Sequence, residues 1–189
     1  MRHIFSNSFY LLFSLPNKKE VFELITNSKY VDRESSLKIR WNSNCKVKVE
    51  ELYADKVGHL LVPSIELFLN HIGAKKSVSL LSIWKNTYNK DSYQDVHDHM
   101  DNTSEVSGCI FLDDQVDDAS KFYFFNRHYV EISKNWKDIM KDNDNPSLHY
   151  YPNIKSGDII LFPSHILHGV TSHKLRRPRT TISFNLKFI

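Results

Sequence analysis

The sequence predicts an α+β fold, mainly β, in which a helical front buttresses a sandwich or barrel of short strands. Helical apolar spacing dominates up to about residue 75, and strand-like runs separated by polar loops follow it. No repeat, low-complexity tract or Pro/Gly linker divides the 189 residues. One domain is therefore expected over 1–189, with a buttress at about 15–75 and a β core at about 76–189.

The elements follow in order. The apolar run Phe9–Leu15 reads as a first strand: it lacks a small-residue cleavage site and is far shorter than the roughly 20 residues a membrane span needs. Asn17 is placed to cap a helix, Lys18–Ser28, with Val21, Phe22, Leu24 and Ile25 inward. A second helix is expected from Val49 to Leu61 on Val49, Leu52, Tyr53, Val57 and Leu60. Pro63 suits the first turn of a third, Ser64–Ile72, and Gly73 stands where a helix terminates in the left-handed region. Strands are then expected at Ser77–Tyr88, Ser107–Leu112, Lys121–Phe125, Gly157–Pro163 and Thr180–Ile189. Two long loops, Lys90–Asp98 and Arg127–Lys155, are candidates for function.

With 41% hydrophobic and 25% charged residues, the chain can bury a substantial core. A net charge of +3, with one basic run at Lys174–Arg179, leaves a nucleic-acid partner open but unsupported. Cys45 and Cys109 are too few for a disulfide scaffold or a four-thiolate zinc site. Free thiols in a reducing compartment are expected, hence a cytoplasmic protein (or one in the host cytoplasm, if virus-encoded), with no membrane partner. A homodimer stays open.

Three stretches carry chemistry. Gln94–Asp101 packs His97, His99, Asp95, Asp98 and Asp101 into eight residues. Residues two apart in an extended segment point to the same side, so His99 and Asp101 can grip one ion, as can His97 and His99. Alone, this stretch also reads as a solvated acidic loop. His168 lies just beyond the strand ending at Phe162–Pro163, and Gly169 allows close backbone approach. Arg179 opens the last strand, where alternation puts Arg179, Thr181 and Ser183 on one face and Ile182 and Phe184 on the other. An inward arginine needs an anionic partner. Two histidines and a carboxylate on one face leave three metal positions open, the arrangement of non-haem iron(II) oxygenases. A 2-oxo acid fills two of them, and its far carboxylate then calls for a cation and a hydroxyl, which Arg179 and Thr181 would supply.

From about residue 80 onward the chain resembles the 2-oxoglutarate/Fe(II) dioxygenases, in particular a group known from marine bacteria and their phages. The resemblance rests on Trp84-Asn86-Tyr88, the His-rich segment, Ser107–Leu112, Phe122–Asn126, Gly157–His168 and Arg179–Asn185. It implies a double-stranded β-helix (jelly roll, cupin-like) with the active site in one mouth of the barrel. It also implies Fe(II) on His99, Asp101 and His168. 2-Oxoglutarate would sit on Arg179 and Thr181, and dioxygen and a further substrate would be consumed in a hydroxylation releasing succinate and CO2. Counting forward from Trp84 gives the alternative pair His97 and His99. Phe111 stands where relatives have a co-substrate tyrosine, leaving Asn86, Tyr88 or Tyr123 for that role. His149, Tyr150, Tyr151 and Trp136 are candidate substrate contacts. The rivals are a cupin-type metalloenzyme with three histidines and no 2-oxoglutarate, and a non-catalytic jelly-roll binding protein.

Overall fold

The computed structural model describes residues 8–25, 45–100, 103–116, 119–127 and 147–189. The N-terminal part of these contributes β1 (Leu11–Ser14), α1 (Lys18–Ile25), β2 (Val47–Glu51), α2 (Ala54–Val57), a 3-10 turn at Gly58–Leu61, and α3 (Val62–Ile72). The rest is β: β3 (Val78–Tyr88), β4 (Gln94–His97), β5 (Val106–Phe111), β6 (Phe122–Phe125), β7 (His149–Tyr150), β8 (Asp158–Pro163), β9 (His168–Val170) and β10 (Arg179–Phe188). Every pairing is antiparallel. A large sheet runs β1-β8-β5-β10-β3-β2 and a small one β4-β9-β6-β7. Among the described residues the two do not join into a closed barrel; they form an open pair of sheets.

Strand alternation sorts the core into two layers. Ile83, Val106, Ile110, Ile159, Leu161, Ile182, Phe184 and Leu186 leave one face of the large sheet and pack with Val57, Leu60, Leu61 and Phe68 of the helical front. From the other face, Tyr88, Cys109, Phe111, Ile160 and Phe162 meet Phe122, Phe124 and Val170 of the small sheet. The large sheet is thus covered on both sides, and its central strands are accordingly apolar on both. Gly108 is required by this packing, because a Cβ there would lie 2.1 Å from the Phe184 ring.

The structure departs from sequence expectation in identifiable places. Residues 49–51, expected to open the second helix, belong to β2, whose register with β3 runs from Val47↔Tyr88 to Glu51↔Trp84. Unsatisfied backbone groups along β3 offer this segment a ladder, and tertiary pairing overrides helical spacing. Glu50, bridged to Lys48 and Lys85 at 2.8 and 3.0 Å, pins the edge. The Asn17 side chain does not cap α1; its Nδ2 donates to the Leu60 carbonyl and its Oδ1 has no partner among the described residues, so it ties α1 to the helical front. α3 ends at Gly73 in the left-handed conformation (φ 65°), with Pro in its first turn, as the sequence predicts. The loop expected over Lys90–Asp98 contains β4, and β7 lies in the loop expected over Arg127–Lys155, of which 128–146 fall outside the described residues. No helix among the described residues is long and apolar enough to cross a membrane.

Candidate metal centre

His97, His99 and His168 come together, each with a ligand atom within 4.8 Å of those of the other two. Two of them are set by strand pairing, since His97 lies directly opposite His168 in the β4–β9 ladder. The register shifts between Gln94 and His97, so that Gln94↔Val170 is followed by His97↔His168 with one extra residue on β4. In a regular strand two residues three apart, such as Gln94 and His97, face opposite sides; the bulge that absorbs the extra residue lets both line the pocket between the sheets. His99 lies just past β4, its backbone N–H bonded to the Ser164 carbonyl at 2.9 Å and its ring stacked on Trp84. This is the pair the forward count from Trp84 gives. Asp101, the other candidate ligand, lies outside the described residues.

The hydrogen bonds define which nitrogen each ring offers. Nδ1 of His97 bonds the Asp95 carbonyl (2.7 Å), Nδ1 of His168 the Ile166 carbonyl (2.9 Å), and Nδ1 of His99 the Asn185 side-chain oxygen (2.9 Å). Each acceptor is an oxygen, so each Nδ1 carries the proton and the lone pair sits on Nε2. Three imidazoles in the same tautomer, each oriented by its second nitrogen, make a donor set suited to a divalent transition metal.

Electrostatics keeps His97 and His168 neutral. Burial, followed by repulsion from His97 and His99, holds His168 well below the ordinary histidine value. His97 is lowered from 6.5 to about 4, again chiefly by burial. A metal ligand must be unprotonated, so the site is ready at neutral pH. The same shifts make the metal-free protein acid-sensitive. Between pH 6.5 and about 4 the unfolded chain takes up a proton at His97 that the folded chain refuses. Stability is therefore full above that window and falls as pH drops through it. Thermal melts of the metal-free protein across the window are expected to show this fall, and a smaller one in His97→Gln.

Arg179 occupies the same pocket, 2% exposed. Its guanidinium lies between the rings of Tyr88 and Phe111, at 5.5 and 5.6 Å, and Nη1 donates to Ser120 Oγ at 3.1 Å. Among the described residues Nε and Nη2 have no partner. Burial lowers its pKa, offset in part by Tyr88, Cys109 and Asp113, yet an arginine stays cationic in a protein. Thr181, also in the pocket, is the next inward residue of β10. Asn86 is buried behind this surface, its Nδ2 donating to Thr181 and Ser183 while its Oδ1 has no partner among the described residues. The Tyr88 hydroxyl donates to Gln94 Oε1 at 2.6 Å.

Other candidates fall elsewhere. Tyr123 points to the outer face of the small sheet, against His149 and Tyr151 and over Gly169. Tyr150 bonds Tyr10 through their hydroxyls at 2.7 Å and lines a second, larger groove with Phe124, Arg127 and His165. Trp136 lies outside the described residues. Sequence reasoning missed Gln94, which the bulge turns inward, and gave no role to Asn185 within the otherwise diagnostic stretch Arg179–Asn185.

Comparison with known proteins places this site in context. A family model described as "Putative 2OG-Fe(II) oxygenase" matches residues 82–185, more than half of the chain and all of the pocket. A search of curated proteins finds no significant match. Among solved structures, HygX from Streptomyces hygroscopicus, with nickel and 2-oxoglutarate bound, is 12% identical over 96% of this chain and 83% of its own, with a TM-score of 0.64. A 2OG-Fe(II) oxygenase family oxidoreductase from Burkholderia pseudomallei is 13% identical, over 94% and 84% of the two chains, with a TM-score of 0.64. A Pseudomonas putida prolyl-4-hydroxylase is 11% identical, over 94% and 92%, with a TM-score of 0.62. At such identities the structures speak for the fold, that of the double-stranded β-helix class in its open form here, and the family model speaks for descent. The chain belongs to the 2OG-Fe(II) oxygenase family of enzymes.

Proposed function

We propose that the chain is an Fe(II)- and 2-oxoglutarate-dependent hydroxylase whose metal is held by His97, His99 and His168 and whose co-substrate is anchored at Arg179 and Thr181. The observation that carries this reading is the buried guanidinium whose Nε and Nη2 find no partner among the described residues, in the same pocket as the three imidazoles. A buried charge without a partner is costly, and two idle N–H groups side by side match a carboxylate. A 2-oxo dicarboxylate supplies that carboxylate at one end and a chelating 2-oxo acid at the other. The donor set fits Fe(II), with three positions left open by three histidines.

Iron bound there would supply the redox chemistry by which dioxygen converts 2-oxoglutarate to succinate and CO2, one oxygen atom entering succinate and the other the hydroxylated substrate. The chain's own residues do the rest. Arg179 and Thr181 hold the far carboxylate, with Thr181 giving the hydroxyl that Phe111 cannot. Asn86 fixes Thr181 and Ser183 from behind. Phe111, Phe122 and Phe162 wall the pocket and keep water out, which strengthens every polar contact inside.

The test is succinate release with Fe(II), ascorbate and 2-oxoglutarate against a panel of peptides, nucleosides, small metabolites and lipids. Release that needs both Fe(II) and 2-oxoglutarate is expected, even where uncoupled from a substrate. Absence of turnover together with absence of Fe(II)-dependent 2-oxoglutarate binding would sink the reading. A second reading is favoured by the all-histidine donor set among the described residues: a three-histidine metalloenzyme that does not use 2-oxoglutarate. It leaves Arg179 without a task, and that residue separates the two.

A further inference from the structure

Metal ligation through Nε2 requires His99 to keep its proton on Nδ1, and a neutral amide can enforce either tautomer. An asparagine presenting its oxygen accepts from Nδ1–H and leaves Nε2 for the metal. The same side chain turned over presents its NH2, demands a lone pair on Nδ1, and moves the proton to Nε2, where it blocks the ion. What holds the Asn185 amide in the productive orientation therefore matters to the metal.

We infer that Asn185 is the positioning residue of the metal centre: its amide oxygen, shared with a line of three serine hydroxyls, holds His99 in the metal-binding tautomer. This rests on the three-histidine reading above. Asn185 Oδ1 receives two donors, His99 Nδ1 at 2.9 Å and Ser107 Oγ at 3.0 Å. Ser107 Oγ lies 2.9 Å from Ser164 Oγ, which lies 2.7 Å from Ser104 Oγ. Once Ser107 spends its proton on Asn185, it accepts from Ser164, and Ser164 in turn accepts from Ser104. The polarity of the chain thus runs one way, from half-buried Ser104 to the buried amide. A turned amide would set its NH2 against both Ser107 and His99, reversing every donor in the line and moving the ring's proton to Nε2, so amide orientation, hydroxyl polarity and ring tautomer change together.

Three elements converge on the ring to make this possible. Asn185 sits where the β10–β3 register shifts, opposite Ser107 in the β10–β5 ladder. The Ser164 carbonyl takes the His99 backbone N–H, and the Ser164 N–H is bonded to the Glu105 carbonyl. The turn after β8 therefore holds His99 by its backbone, while its hydroxyl is coupled through Ser107 and Asn185 to the ring's proton.

The test uses the full chain, 15N-labelled at histidine, with Co(II) as the metal probe. In the metal-free protein, long-range 1H–15N spectra are expected to show His99 protonated at Nδ1. Asn185→Leu, of similar volume, is expected to lose that preference at His99 while His97 and His168 keep theirs, and to weaken Co(II) binding about 10- to 100-fold, the range for lost orienting partners. Asn185→Asp retains the acceptor and should restore both the tautomer and the affinity. Should Asn185→Leu fail to fold, Ser107→Ala is expected to move both readouts the same way by several-fold. A wild-type tautomer at His99 in Asn185→Leu overturns the inference, whether or not Co(II) binding changes, as does an Asn185→Asp variant that rescues neither readout. Failure of the wild type to bind Co(II) counts against the three-histidine centre, and the metal-free spectra still decide the role of Asn185.

Discussion

Arg179→Met is expected to weaken 2-oxoglutarate binding by about two orders of magnitude while leaving the ligand-free protein as stable as the wild type, or more so. The two effects come from one cause. In the ligand-free pocket Arg179 is 2% exposed and, among the described residues, its guanidinium makes one hydrogen bond, to Ser120, and leaves Nε and Nη2 without partners. Replacing buried ionic groups by apolar ones of similar volume is neutral or stabilising by about 1–4 kcal/mol. Methionine can fill the same slot between Tyr88 and Phe111, so the apo melting temperature should hold or rise. Binding is the reverse case. Removing one member of a buried, hydrogen-bonded charge pair costs about 2–5 kcal/mol, or roughly 30-fold to several thousand-fold in affinity. Calorimetric titration of 2-oxoglutarate with anaerobic Fe(II) measures the loss. Pyruvate, which has the 2-oxo acid but no far carboxylate, is the control: the wild type should bind it weakly, and Arg179→Met should bind both acids alike. Arg179→Lys should fall between, because an ammonium restores the charge without the fork. If 2-oxoglutarate affinity is unchanged in Arg179→Met, the reading without 2-oxoglutarate gains and the proposed function loses its main support.

How far the sequence foretold this site depends on the length of the element carrying each residue. β3, β5, β8 and β10 are long enough for apolar alternation to show, and the face shared by Arg179, Thr181 and Ser183 follows from period 2 alone. α3 announced itself through Pro63 and Gly73, whose backbone demands are local. The small sheet was mostly illegible. β7 and β9 are two and three residues long, and β4 carries an extra residue that breaks the alternation on which any reading of it would depend. Residues 49–51 of β2 read as helix because Val49 stands at helical spacing from Leu52 and Tyr53 as well as at strand spacing from Val47, and only the edge of β3 decides between them. Asn17 made sense locally as a cap, but the Leu60 carbonyl, 43 residues away, takes its amide. Asn185 and the three serines were missed for a related reason: a network that joins residues 104–107, 164 and 185 to His99 leaves no spacing in the sequence to find.

Substitution of the metal-ligand candidates, one at a time, is expected to separate His97 from Asp101. His97, Asp98, His99, Met100 and Asp101 run on from the end of β4, and 97, 99 and 101 share parity, so extended geometry alone admits either His97/His99 or His99/Asp101 as a pair. What favours His97 is the ladder: it faces His168 across β4–β9, their rings 4.3 Å apart between centroids, with Nδ1 already committed to the Asp95 carbonyl. Alanine at His97, His99 or His168 should therefore each reduce Co(II) or Fe(II) affinity by more than the 10- to 100-fold that a lost orienting partner costs, since a ligand bond itself is removed. Asp101→Ala should stay within a few-fold of wild type. Metal content after dialysis, with titrated affinity for Co(II), distinguishes the sets. The opposite pattern, with Asp101→Ala losing the metal and His97→Ala keeping it, would restore the two-histidine, one-carboxylate arrangement. The alternatives also differ in charge. Three neutral imidazoles leave the ion's full +2 to be met by the co-substrate, whereas a carboxylate ligand cancels half of it. On the three-histidine reading, 2-oxoglutarate and the metal should bind with strong mutual dependence, and Asp101→Asn should leave that coupling untouched. On the carboxylate reading, the same substitution removes a negative charge beside the ion and should tighten the binding of the dianion to whatever metal remains.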